Sequence, residues 1–190
     1  TPKPSSAASD VYKRQCYALL GGLFFDTGHV DTAFYFYDLS DKCAAQHGHT
    51  RMLAYNKFNR LLIRFTCHQA QEVISGAPAL EIELKQQQAD DDSFAQLKYI
   101  QMTAHMMLGQ WDEADRISQL MNQMPPQDAA AGRARALLAQ AVLCIHTKQE
   151  AKPYFDRFMI ETEDARRYSL FRYYESVSYT HLRAHETLRN

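Results

Sequence analysis

Cys43, His47 and His49 fall within one short stretch and are the residues best placed by type to ligate a metal. On a helix Cys43 and His47, four apart, share a face, and a thiol with two imidazoles is a zinc-type donor set. A structural zinc site takes four ligands, however, and Gly48 between the histidines marks a helix end, so the three read as packed or solvated side chains. Cys67-His68 sets a thiol beside a base, and the expectation is again that each packs or faces water. Lys57, Arg60 and Arg64 form an i, i+3, i+7 stripe, read as a solvated helix face paired to acidic neighbours. The sequence contains no H-E-x-x-H, no G-x-S-x-G, no phosphate-cradling glycine loop and no dinucleotide fingerprint. No catalytic residue, metal ligand or cofactor is therefore expected, and the chain does not read as an enzyme.

The elements that must carry these residues come from a chain of 190 residues, 46% of them hydrophobic, enough to bury a core. No run approaches the ~20 apolar residues of a membrane span. The four cysteines lie far apart without a C-x-x-C pair, which suits free thiols in a reducing compartment; cytoplasm is the default expectation.

The two ends read differently from the middle. SSAASDVYKRQ, within residues 1–15, resembles the in-frame translation of a transposase-type sequencing-library adapter, and VSYTHLRAHET, within residues 176–190, resembles the partner adapter read in reverse complement. Fold reasoning is accordingly confined to residues 16–175, an internal fragment on this reading. Setting aside Lys3, Lys13, Arg14, Arg183 and Arg189, with Asp10 and Glu186, leaves 16 of 21 basic and 20 of 22 acidic residues. That balance is mildly acidic and provides no basic stripe for nucleic acid.

Apolar residues keep helical spacing over Leu19, Leu20, Leu23 and Phe24 up to Gly28, and again over Val30, Ala33, Phe34, Tyr37 and Leu39. A second pair is expected from Thr50 to a turn near Phe65 and Thr66, then from Ala70 until Gly76-Ala-Pro78 stops it, with a further turn or two over 79–88. Asp90-Asp-Asp92 reads as a solvated loop, and Ser93 with Gln96 as a capping box. A helix should run from Trp111 to about Met124, stopped by Pro125-Pro126, and another from Ala129 to His146. Thr147 and Glu150 suggest a further capping box, with Pro153 forcing either a kink or a start near Lys152. A last helix is expected over 164–175.

Laid over one another, these units bring Ala33, Ala70, Ala114 and Ala151 into register, with Gly28, Phe65, Gly109 and His146 five residues earlier. The pattern resembles the tetratricopeptide repeat family, most closely through Leu20, Gly21, Phe24, Gly28, Ala33 and Tyr37, and again from Gly109 through Ala114 to Pro126. The resemblance implies an all-α fold, an α-α superhelix of about four such hairpins plus a C-terminal helix. It also implies a non-catalytic module that holds a peptide or partner protein in a concave groove lined by the first helix of each hairpin. That places Tyr55, Asn56, Asn59, Gln96, Tyr99, Thr103, Met106, Arg133 and Gln140 in the groove. The carboxylate clamp of some members would need lysine and asparagine where this chain has Ala18 and Gly22, so an internal segment or folded partner is expected. The alternative is the sensory segment of a larger bacterial signalling protein, a diguanylate cyclase or transcription regulator, whose output domain lies elsewhere.

Overall fold

The structure is a computed structural model, and it describes residues 6–124 and 130–163. Among these residues there are eight helices and no strand: α1 (Ser6–Asp26), α2 (Val30–Gln46), α3 (Thr50–Thr66), α4 (Ala70–Gln86), α5 (Asp91–Met107), α6 (Trp111–Met121), α7 (Ala130–His146) and α8 (Lys152–Glu163). The chain divides after Met121 into two compact units. The first holds three hairpins, α1/α2, α3/α4 and α5/α6, with each second helix also packed on the first helix of the next hairpin. The second unit holds the hairpin α7/α8. The expected helix over 164–175, the proline stop at 125–126 and the 176–190 stretch lie outside the described residues.

One local device sets every turn. Gly28, Gly48, His68, Gln88, Gly109 and Lys148 all take positive φ. The N–H of the following residue then reaches back to the carbonyl five positions earlier, as in His29 to Phe24 (2.8 Å), Gln69 to Arg64 (2.9 Å) and Gln149 to Cys144 (2.8 Å). This pairing satisfies carbonyls that a helix end leaves without partners. Three of the six residues are not glycine, so the turn costs about 1–2 kcal/mol more at His68, Gln88 and Lys148 than a glycine would.

These turns correct the register. The hairpin turns stand at 28, 68, 109 and 148, steps of 40, 41 and 39 residues. The partner of Ala33 in the second hairpin is therefore Val73, not Ala70, and the turn falls at His68, three residues later than the glycine-free sequence suggests. The period is also longer than the 34 residues of the tetratricopeptide repeat.

Other boundaries move for visible reasons. Helix α4 runs straight through Gly76 and Pro78. Pro78 lies on the exposed side, where water can solvate the carbonyl it leaves unbonded, while Val73, Ala77, Leu80 and Leu84 keep an unbroken buried stripe. Fully burying each of the larger ones stabilises by ~1.5–3 kcal/mol, enough to override a proline. Asp90 rather than Ser93 caps α5: its Oδ1 accepts from the Ser93 backbone N–H at 2.8 Å, and Asp91 and Asp92 form the helix's first turn instead of a loop. Thr147 is not a cap, since its hydroxyl bonds back to the Leu143 carbonyl. Helix α8 starts at Lys152, with the Phe155 N–H on the Ala151 carbonyl. Helix α1 begins at Ser6 and passes through the adapter-like residues; the Ser40 hydroxyl donates to the Arg14 carbonyl at 3.1 Å.

In the first unit, α3, α4 and α5 share a core that includes Phe58, Leu61, Val73, Leu80, Leu84, Leu97 and Ile100. Ala33, Tyr37 and Ile63 pack between α2 and α3, and Tyr37 also lies against Gly21 of α1. In the second unit Ala134, Leu137 and Phe158 form the core.

Candidate functional site

The first helices of the hairpins carry the polar and aromatic side chains that could meet a partner. On α3, Tyr55 donates its hydroxyl to Asp90 at 2.8 Å, tying α3 to the cap of α5, and the Arg51 guanidinium lies 5.7 Å from the Tyr55 ring centre. Burial raises the Asp90 pKa, but the hydrogen bonds from Tyr55 and from the Ser93 backbone and hydroxyl outweigh it, so the carboxylate is held below its ordinary range. Beside Tyr55 opens a cavity of about 420 Å³ lined by Arg14, Gly48, His49, Thr50, Arg51, Met52 and Tyr55. No carboxylate is among its lining residues. Loss of hydration, followed by the positive charges of Arg14 and His47, lowers the His49 pKa, so at neutral pH the arginines carry the cavity's charge.

Of the residues expected in a groove, Tyr55, Gln96, Tyr99, Thr103 and Met106 are half-buried, and the turn register makes Tyr55 and Gln96 equivalent positions on α3 and α5. Tyr99 packs edge-on against Phe65, with ring centres 5.7 Å apart, and Thr103 bonds the Tyr99 carbonyl at 2.9 Å. Asn56 does not face a groove. It is fully buried against α2, donating to the Ser40 hydroxyl (2.9 Å) and Asp41 (2.7 Å). Its own carbonyl oxygen is buried and accepts from none of the described residues. Asn59 is half-buried at the position equivalent to the buried Ile100, next to the α2 side of α3. In the second unit Gln140 is buried and donates to Asn122 at 3.1 Å, while Asn122 donates to the Tyr154 hydroxyl, so this trio fastens the hairpin together. Arg133 is half-buried. The error in register came from aligning on alanine, which cannot distinguish Ala70 from Val73 when both are buried.

Comparison with protein-family models, with curated proteins and with solved structures finds no match.

The remaining candidate chemistry resolves into structure. Lys57 pairs with Glu83 at 2.7 Å, and Arg60 with both Asp38 and Asp41 at 2.7 Å, as the acidic-neighbour reading of that stripe expects; Arg64 is exposed. The His47 ring nitrogen Nδ1 hydrogen-bonds the Cys43 carbonyl, and the His47 and His49 ring centres are 6.2 Å apart. Among the described residues no three His, Cys, Asp or Glu side chains converge as metal ligands would. Cys67 and His68 are exposed turn residues, His68 holding the positive φ. Trp111 is half-buried at the start of α6, and Met102 is fully buried while Met107 is exposed. No described helix is long and apolar enough to cross a membrane.

Proposed function

We propose that the chain is a tetratricopeptide-like repeat array acting as a non-catalytic module that binds an extended peptide or a protein segment along the first helices of its hairpins. The likeness rests on the Gly28, Ala33 and Tyr37 skeleton of the first hairpin, with a hairpin period nearer 40 than 34 residues. The observation that carries the reading is the carboxylate-free cavity beside Tyr55 and Arg51, continuous in register with Gln96 on the next hairpin. Arginine and the glutamine amide suit a peptide with acidic side chains and an open backbone, because guanidinium forks pair with carboxylates and the amide offers both donor and acceptor. Arg14 stands in the adapter-like stretch, so Arg51 and Tyr55 define the site.

The test is to pan a phage-displayed random peptide library on the immobilised full chain and titrate a selected peptide by calorimetry. Arg51→Glu with Gln96→Ala should weaken it by more than about tenfold, or ~1.4 kcal/mol, while Ile82→Glu on α4 leaves it unchanged. Full binding by the first variant together with loss in the second would refute this placement.

A further inference from the structure

The turn register exposes a difference between the first hairpin and the two that follow it. Aligning the turns at Gly28, His68 and Gly109 makes Cys16, Leu19 and Leu23 of α1 equivalent to Asn56, Asn59 and Ile63 of α3 and to Leu97, Ile100 and Ala104 of α5. On α5 all three are fully buried, and on α3 Asn56 and Ile63 are buried against the preceding helix α2. On α1 the same positions are bare: Cys16 is exposed, Leu19 is 74% exposed and Leu23 is 57% exposed. Tyr12, 66% exposed, extends the stripe by one turn. The spacing i, i+4, i+7, i+11 puts all four within roughly 60° of arc at 3.6 residues per turn, and it is the alternating 4-3-4 spacing of a two-helix seam.

We propose that this face pairs with the same face of a second copy, α1 against α1 in antiparallel register about a two-fold axis. In that register Tyr12 faces Leu23 of the other copy and Cys16 faces Leu19. Charge selects the orientation. The stretch Cys16–Phe25 carries no charge, with Lys13 and Arg14 before it and Asp26 after it. Antiparallel pairing lays the basic end of one helix over the acidic end of the other, whereas parallel pairing stacks like on like. A two-fold contact is self-complementary and closes at two copies, so it does not propagate into fibres. The seam rests on Cys16, Leu19 and Leu23, which lie outside the adapter-like stretch.

Analytical ultracentrifugation of the full chain over a concentration series tests this directly. The expected mass is twice the 21.9 kDa of one chain. Leu19→Glu with Leu23→Glu should sediment as a monomer while keeping a cooperative circular-dichroism melt, and Ile82→Glu should remain dimeric. Orientation is read by copper-phenanthroline oxidation: Leu19→Cys should cross-link through Cys16 of the other copy, located by peptide mapping, and the unsubstituted chain should cross-link poorly through Cys16. A monomer at every concentration overturns the proposal, as does a dimer that survives both glutamates. Efficient Cys16-to-Cys16 cross-linking of the unsubstituted chain would mean parallel pairing and overturn it equally.

Discussion

The contact between Gly21 of α1 and Tyr37 of α2 allows a prediction whose sign can be reversed. A Cβ at position 21 would lie 2.9 Å from Cε2 and Cζ of the Tyr37 ring, closer than van der Waals contact permits. Gly21 lies inside α1, where replacing glycine by alanine ordinarily gains ~1 kcal/mol. Against this stands the overpacking of a ring that is itself 3% exposed and held between two helices, a cost of ~1–3 kcal/mol. Gly21→Ala should therefore leave the protein from about unchanged to ~2 kcal/mol less stable, despite its better helix propensity. In a Tyr37→Leu background the ring is gone and only the propensity gain remains, so the same substitution should stabilise by ~1 kcal/mol. Urea denaturation followed by circular dichroism, run as a double-mutant cycle, gives both values and their coupling. A gain of ~1 kcal/mol from Gly21→Ala with Tyr37 in place would show that the two helices do not approach as described and refute the reasoning.

Three further outcomes follow from the same structure. His68→Gly should stabilise by ~0.5–1 kcal/mol, since the positive-φ cost of ~1–2 exceeds the extra chain entropy of glycine, and Gly28→Ala should move denaturation midpoints the opposite way. Ala114→Leu should cost ~1–3 kcal/mol because Ala114 is fully buried in the α5/α6 hairpin; an unchanged midpoint would place it elsewhere. Burial raises the Glu81 pKa, but the hydrogen bonds and charges of Lys98 and Lys85 outweigh it and lower the carboxyl below its ordinary value. A lowered folded pKa means stability that is present above the unfolded value of ~4.3 and lost as pH falls through the folded value. Glu81→Gln should thus lower the melting temperature at pH 7, with the deficit shrinking below ~pH 4.3 and vanishing in stronger acid; a deficit independent of pH would contradict the ion-pair account.

Helical period and punctuation were enough to recognise an all-α chain of hairpins. The stripes through Leu20, Phe24 and Tyr37, and through Leu97, Ile100 and Ala104, are local patterns that a helix imposes whatever its neighbours. The Gly28 and Gly109 turns were readable because glycine announces positive φ, and the start of α8 near Lys152 followed from Pro153. The turns at His68, Gln88 and Lys148 were not readable, because those residues adopt positive φ only when the packing of the flanking helices compensates the strain. Pro78 misled for the same reason: burial of Val73, Leu80 and Leu84 outweighs one lost hydrogen bond. The polar positions divided likewise. Tyr55, Gln96 and Met106 stay partly open, but Asn56 and Gln140 are buried in hydrogen bonds to Ser40, Asp41 and Asn122, partners that sequence spacing cannot supply. Sequence alone therefore determined which residues form helices and where glycine ends them. Tertiary packing decided the 40-residue register, which polar side chains are buried, and that the apolar stripe of α1 stays bare where its counterparts on α3 and α5 are covered. Local energetics set the helical period, but burial depends on which helix lies alongside, and that is a property of the assembled chain.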